Sequence, residues 1–219
     1  MTKEEYIRRM NESDDWAPGW EAIDNEFERL YPDVKPAHFA TDITARAMFG
    51  GNEYLDGYSV YDTGKDYKHM VTYGMSCLYA GEEFFGKKFS GWGYEMTIRL
   101  KEEKAEDCLW AAEMLGNLAR YTYQSKSFFG FGQVIAGNGS SLHIGTDSAI
   151  TALITVKDPT AQTLDTPHGE VAFIQLVGIT ESELNAIRQD IGNIKVLTEL
   201  MRKDNPEFVT DMNRTHSYL

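Results

Sequence analysis

The chain has 219 residues, 42% of them hydrophobic, which is enough to enclose a substantial core within one domain. Its formal net charge of −13 opposes phosphate backbones, and its Lys and Arg form no basic patch, so nucleic acid is excluded as the expected partner and a basic protein fits better. No apolar run approaches the roughly 20 residues of a membrane span, and the opening MTKEEYIRRMNESDD lacks the apolar centre of a signal peptide, so a soluble cytoplasmic protein is expected, away from membranes.

In chain order, Glu4 to Asn11 predicts a short helix, polar enough to fray, and Pro18-Gly19 a break. Trp20, Ile23, Phe27 and Leu30 then recur at helical spacing, with Glu21, Glu28 and Arg29 opposite, until Pro32 stops the pattern. Pro36 to Thr44 reads as extended, Gly50-Gly51 as a turn, and Tyr58 to Tyr61 as a short strand closed by Asp62 to Lys65. Met70-Val71-Thr72-Tyr73 is rich in β-formers and ends at Gly74. From Tyr94 to Lys101 apolar and polar residues alternate, so Tyr94, Met96, Ile98 and Leu100 share one face of a half-buried strand. Between these strands, Gly81 to Lys88 imitates a phosphate-binding G-x-x-x-x-G-K loop. Lys88 stands where the magnesium-binding hydroxyl belongs, and Glu82 and Glu83 would repel phosphate, so a solvated, mobile loop is expected instead.

Glu103 to Gln124 predicts the longest helix, with Trp110, Met114, Leu118 and Tyr121 on its apolar stripe and Ala111, Leu115 and Ala119 widening it. The glycines of FFGFG and GNG complete no dinucleotide fingerprint and mark turns. Ser148 to Val156 resumes strand character, Asp165 to Gly169 is a turn, and Val171 to Val177 reads as a central strand covered on both faces. Thr180 and Glu183 form a capping box for a helix that buries Leu184, Ile187 and Ile191 and stops at Gly192; Val196 to Met201 predicts a last helix and Phe208 to Thr210 an extended piece. Strands and helices do not alternate strictly, so the expected fold class is α+β: a single domain with a mixed, mainly antiparallel sheet flanked by helices.

Catalytic chemistry is not legible. His38, His69, His143, His168 and His216 show no HxxxH, HxH or HExxH spacing, and Cys77 and Cys108, expected as reduced core thiols, have no close histidine partner in sequence. Ser76 lacks the second glycine of a hydrolase elbow. Neither an enzyme nor a bound metal or cofactor is expected.

Two blocks, VTYGMSCLY and SGWGYEMTIRL, resemble the signature of the suppressor of fused domain, in which an aromatic-glycine-x-serine-x-leucine-tyrosine block precedes a glycine-aromatic-glycine-aromatic-glutamate block. PGWEAIDNEFERLYPD, GGNEYLDGYSVYD, LGNLARYTYQS, DTPHG, FIQLVGIT and VTDMNR extend the resemblance in the family's order over roughly residues 18–214 of a single domain spanning 1–219. The resemblance implies a protein-binding function. Animal members sequester Gli-type transcription factors by clamping a short peptide against a second, C-terminal domain, for which this sequence shows no counterpart. Short single-domain members are bacterial, and many look like immunity proteins of toxin systems. The expectation is therefore a non-catalytic bacterial immunity protein that neutralises a cognate, basic toxin domain; the alternative is a regulatory module for a short linear peptide. Within the matching blocks, Asp56, Tyr61, Tyr73, Tyr79, Trp92, Glu95 and Asp211 are the candidate partner contacts, since aromatic residues anchor interfaces.

Overall fold

β-branched and aromatic residues concentrate in runs separated by Gly, Pro and Asp, and these runs assemble into one eight-stranded sheet. The computed structural model describes residues 1–41 and 55–219; the expected turn at Gly50-Gly51 and positions 42–44 of the expected extended stretch lie outside the described residues. The elements are α1 (Lys3–Glu12), α2 (Pro18–Leu30), β1 (Ala37–Ala40), β2 (Gly57–Asp62), β3 (Lys68–Tyr73), β4 (Phe89–Leu100), α3 (Leu109–Ser125), β5 (Val134–Ile135), β6 (Ile150–Lys157), β7 (Leu164–Thr166), β8 (Gly169–Thr180), α4 (Glu181–Gln189) and α5 (Asn193–Asp204). The strand order is β1-β2-β3-β4-β8-β6-β5, with β7 hairpinned onto the start of β8. All pairings are antiparallel except β4 with β8, which run parallel from Tyr94↔Ala172 to Ile98↔Leu176. The expected α+β class and the interior position of Val171 to Val177 hold. The expected extended piece at Phe208 to Thr210 makes a single parallel bridge, between Leu100 and Thr210.

Even-numbered β4 residues Tyr94, Met96, Ile98 and Leu100 pack with Ile174 and Leu176 of β8 beneath α3. The apolar stripe of α3 is rotated from the expected one. Ala111, Ala112, Leu115, Gly116 and Ala119 are buried, Trp110, Met114 and Leu118 lie partly buried at its margins, and Tyr121 is exposed. Small residues let the helix axis approach the flat sheet, whereas a row of large side chains would hold it off. Each fully buried Leu or Ile here contributes about 1.5–3 kcal/mol relative to exposure.

The opposite face carries two clusters. At one end, Ile23 and Phe27 of α2 pack on Tyr61, Val71, Tyr73 and Phe173. At the other, Leu184 and Ile187 of α4 and Leu197 and Met201 of α5 cover Ile154, Val177 and Ile179. Ile191, expected in that stripe, is 67% exposed because α4 has already ended at Gln189. Nor does α1 rest on its own polarity alone: Thr2 and Glu5 form a capping box, and the Tyr6 ring is fully buried between Trp16, Phe85 and His168, its hydroxyl 2.7 Å from His168 Nε2.

Between the two clusters runs a buried polar seam. Arg99 donates through Nη2 to Asp158 Oδ1 (3.0 Å) and through Nη1 to Asp158 Oδ2 (3.2 Å) and Gln175 Oε1. Asp158 also accepts from Thr97 Oγ1 at 2.8 Å and from the Thr160 and Ala161 N–H groups, each at 2.9 Å. His69 Nε2 lies 3.0 Å from Asp158 Oδ2, and the Tyr31 hydroxyl 2.8 Å from His69 Nδ1. Arg99, His69 and Gln175 are fully buried and Asp158 nearly so. Burial, then the Arg99 charge, lowers the His69 pKa and keeps its ring neutral, so Nε2–H donates to Asp158 and Nδ1 accepts from Tyr31. Burial alone would raise the Asp158 carboxyl, but His69 and Arg99 outweigh it and hold it well below the usual carboxylate range.

Candidate functional site

The chain leaves β3 at Gly74, whose φ of 129° few other residues adopt, and the segment from Gly74 to Leu78 crosses the end of the sheet. Glu95, on the neighbouring strand β4, gathers this segment. Its carboxylate accepts from Ser76 Oγ (2.6 Å), Thr72 Oγ1 (2.7 Å) and the N–H groups of Ser76 (2.9 Å), Gly74 (3.0 Å) and Met75 (3.3 Å). Burial pushes the Glu95 carboxyl above its ordinary value, while the donors from Ser76, Thr72 and Gly74 pull it back. Further ties come from other elements. Ser90 Oγ accepts from Cys77 N–H (3.0 Å), His168 Nδ1 lies 2.8 Å from the Cys77 carbonyl, Gly19 N–H donates to Leu78, and the Tyr123 hydroxyl at the end of α3 donates to the Gly74 carbonyl.

The fixed segment shapes the start of β4. Phe89 pairs with Glu170 and Tyr94 with Ala172, so Ser90 to Gly93 stand opposite Val171 alone as a bulge. Gly91 and Gly93 have φ of 55° and 81°, and a Cβ on Gly91 would fall 2.6 Å from the Met75 carbonyl oxygen. Trp92 N–H donates to that carbonyl at 2.9 Å, and its ring meets Tyr123 edge-on at 5.9 Å. The glycine-tryptophan-glycine motif is thus the only part of β4 that leaves the pleat, and it sets Trp92 at the wall of a groove of about 480 Å³. The loop after α3 supplies the other wall with Phe128 and Phe131, 66% and 51% exposed, and Phe89 at the rim is 48% exposed. Large apolar side chains clustered in the open mark a contact surface rather than a core.

The sequence-derived contacts divide by depth. Tyr61 and Tyr73 are core residues: Tyr61 stacks on Phe27 at 4.9 Å, and Tyr73 stacks on Trp20 at 4.4 Å while its hydroxyl donates to Asp24 at 2.8 Å. Glu95 is enclosed. Asp56 is half-buried, and its backbone bonds Thr41 and the Tyr73 carbonyl. Trp92 is half-buried at the groove and Tyr79 is exposed beyond the fixed segment. Asp211 lies at the far end of β4, where it accepts from Lys101 at 3.0 Å. The structure therefore brings Asp56, Tyr73, Glu95 and Trp92 to the end of the sheet that this segment crosses, keeps Tyr61 beside Tyr73 in the core, and leaves Asp211 apart. Phe128 and Phe131 were missed because they sit among glycines in a stretch read as turns. The legible signal was three phenylalanines in FFGFG with no periodic stripe to bury them.

Among the described residues, no group of three or more His, Cys, Asp or Glu side chains could hold a metal ion, Cys77 and Cys108 are free thiols, and no helix is long and apolar enough to cross a membrane. The family model described as Suppressor of fused protein (SUFU) matches residues 51–215. The chain is 34% identical over 214 residues to the human and mouse proteins named Suppressor of fused homolog, a match that takes in 90% of this chain and 43% of each relative, so it spans under half the length of these curated relatives. Among solved structures, a chain of a Sufu–Fu complex superposes with a TM-score of 0.76 at 28% identity over 92% of this chain and 93% of that one. Drosophila Suppressor of Fused gives 0.75 at 28% identity over 92% of this chain and 51% of that one. A putative SUFU homolog from Neisseria gonorrhoeae shares the fold with a TM-score of 0.63 at 16% identity, over 92% and 97% of the two chains. The segment gathered by Glu95, the glycine-tryptophan-glycine bulge it shapes and these matches agree: the chain belongs to the suppressor of fused family.

Proposed function

We propose that this chain is a non-catalytic protein-binding module that docks its partner at the groove walled by Trp92, Phe128 and Phe131. The observation that carries this reading is the exposed aromatic cluster standing on a rigid base: a five-donor carboxylate and two positive-φ glycines hold Trp92 in place, and a preorganised aromatic surface loses little freedom on binding. That a family member is known in a Sufu–Fu complex supports a protein as the partner. A photo-crosslinking side chain at position 131 should give a discrete protein adduct in the cells that make this protein, and the same group at Glu199 on α5 should not. Phe128→Ser/Phe131→Ser should lower adduct yield about tenfold or more, as removal of central anchors does, with urea unfolding little changed. Equal adducts from both positions would remove the groove from the proposal.

The charge of −13 favours one more specific reading, neutralisation of a basic toxin domain. On this reading the association rate with such a domain falls steeply as salt rises, because screening contracts from about 10 Å at 0.1 M to about 3 Å at 1 M. A rate independent of ionic strength would exclude it.

A further inference from the structure

Lysines stand at the groove's rim on a molecule that is acidic as a whole. With 34 Asp and Glu against 21 Lys and Arg, an apolar opening on this protein is expected to be ringed by carboxylates. Instead, Lys88 Nζ stands over the Phe89 ring at 5.0 Å and Lys126 Nζ over the Trp92 ring at 5.9 Å. Lys157 is exposed and pairs across the sheet with Ile174, a residue of the groove floor. Glu170 lines the groove and exposed Asp165 pairs with it across the sheet, so the rim sets three lysines against two carboxylates, and among the described residues neither Lys88 nor Lys157 forms an ion pair. Attraction to the aromatic faces biases the Lys88 and Lys126 ammonium groups toward the groove rather than outward.

From this rim we infer that the groove takes an acidic protein segment in which aromatic or branched aliphatic anchors are flanked by Asp or Glu, an inference that rests on the groove being the docking surface. The anchors fill the space between Trp92, Phe128 and Phe131, and the flanking carboxylates reach Lys88, Lys126 and Lys157. Lysine beside exposed aromatics also suits single-stranded nucleic acid. The charge of −13 decides against it, since an extended phosphate backbone runs past the three lysines into the acidic remainder, whereas a short segment places its few charges at the rim.

The test is fluorescence anisotropy on the full chain with three labelled probes: a short peptide with two Phe or Trp anchors flanked by Asp and Glu, the same peptide with Lys replacing every acid, and an oligothymidylate of matched length. The acidic peptide should bind about tenfold more tightly than the basic one, through a few partly exposed rim pairs acting together. Lys88→Glu/Lys157→Glu should invert the preference and Lys88→Gln/Lys157→Gln abolish it, with folding checked by urea unfolding. Phe128→Ser/Phe131→Ser should weaken both peptides. If the aromatic variant weakens both but the lysine variants leave their ratio unchanged, the acidic segment is wrong and the docking surface stands. If the aromatic variant affects neither, the docking surface fails and takes this inference with it. Absence of peptide binding, or tighter binding of the oligonucleotide, also overturns it.

Discussion

Asp158→Ala is expected to destabilise the protein by about 3–5 kcal/mol in urea unfolding, because it leaves the Arg99 guanidinium buried without its counter-charge. The loss extends beyond one ion pair. Thr97, His69 and the Thr160 and Ala161 N–H groups all donate to the same carboxylate and would be stranded in a dry seam. Against a typical total of about 5–15 kcal/mol, such a loss would leave the variant marginal. Removing both charges should be gentler: Arg99→Met/Asp158→Leu is expected to regain about half of the loss, since paired hydrophobic replacement no longer strands an ion. A loss below about 1 kcal/mol for Asp158→Ala would show that water reaches the seam and replaces the carboxylate.

The same seam sets a pH dependence. His69 is held below its ordinary pKa, so below about pH 6.5 the unfolded chain takes up a proton that the folded one refuses, and stability falls as pH falls. Asp158, held far below its ordinary value, acts in the same direction: its contribution is present above about pH 4 and is lost as pH falls toward its folded value. His69→Gln should therefore flatten the stability profile between about pH 7 and 5 while leaving the steeper loss below about pH 4. An unchanged slope near pH 6 would mean that His69 is protonated in the folded state.

Glu95→Ala is the second large effect, about 3–4 kcal/mol, since five donors from Thr72 and the Gly74–Ser76 segment lose their acceptor in a fully buried position. Its structural consequence should exceed its energetic one. With the segment released, the Met75 carbonyl no longer holds Trp92 N–H, and the bulge that shapes the groove loses its template. Tryptophan fluorescence and groove binding should change in Glu95→Ala even at a urea concentration where the variant is fully folded. Glu95→Gln keeps one acceptor oxygen and should fall between. Partner binding that is unaffected in folded Glu95→Ala would separate the groove from the segment beneath it.

The sequence by itself determined the elements whose signals are local. Alternation placed Tyr94, Met96, Ile98 and Leu100 on one face, the Thr180–Glu183 box started α4, a run apolar except for Gln175 put Val171 to Val177 inside the sheet, and the two signature blocks identified the family. Each depends on residues within a few positions of one another or on motif order, and tertiary packing had no reason to override them. What only the tertiary structure decided depends on which surfaces meet. The buried stripe of α3 follows its small residues rather than its large ones, because distance to a sheet is a property of two elements. Asp158 and Arg99 are 59 positions apart, and nothing local in either marks it for burial against the other. Glu95 had the same ambiguity. A glutamate in a signature block reads equally as a contact or as a scaffold, and only the convergence of five donors on it shows its structural role, while Phe128 and Phe131, left out of the core by the end of α3, form the surface proposed for docking.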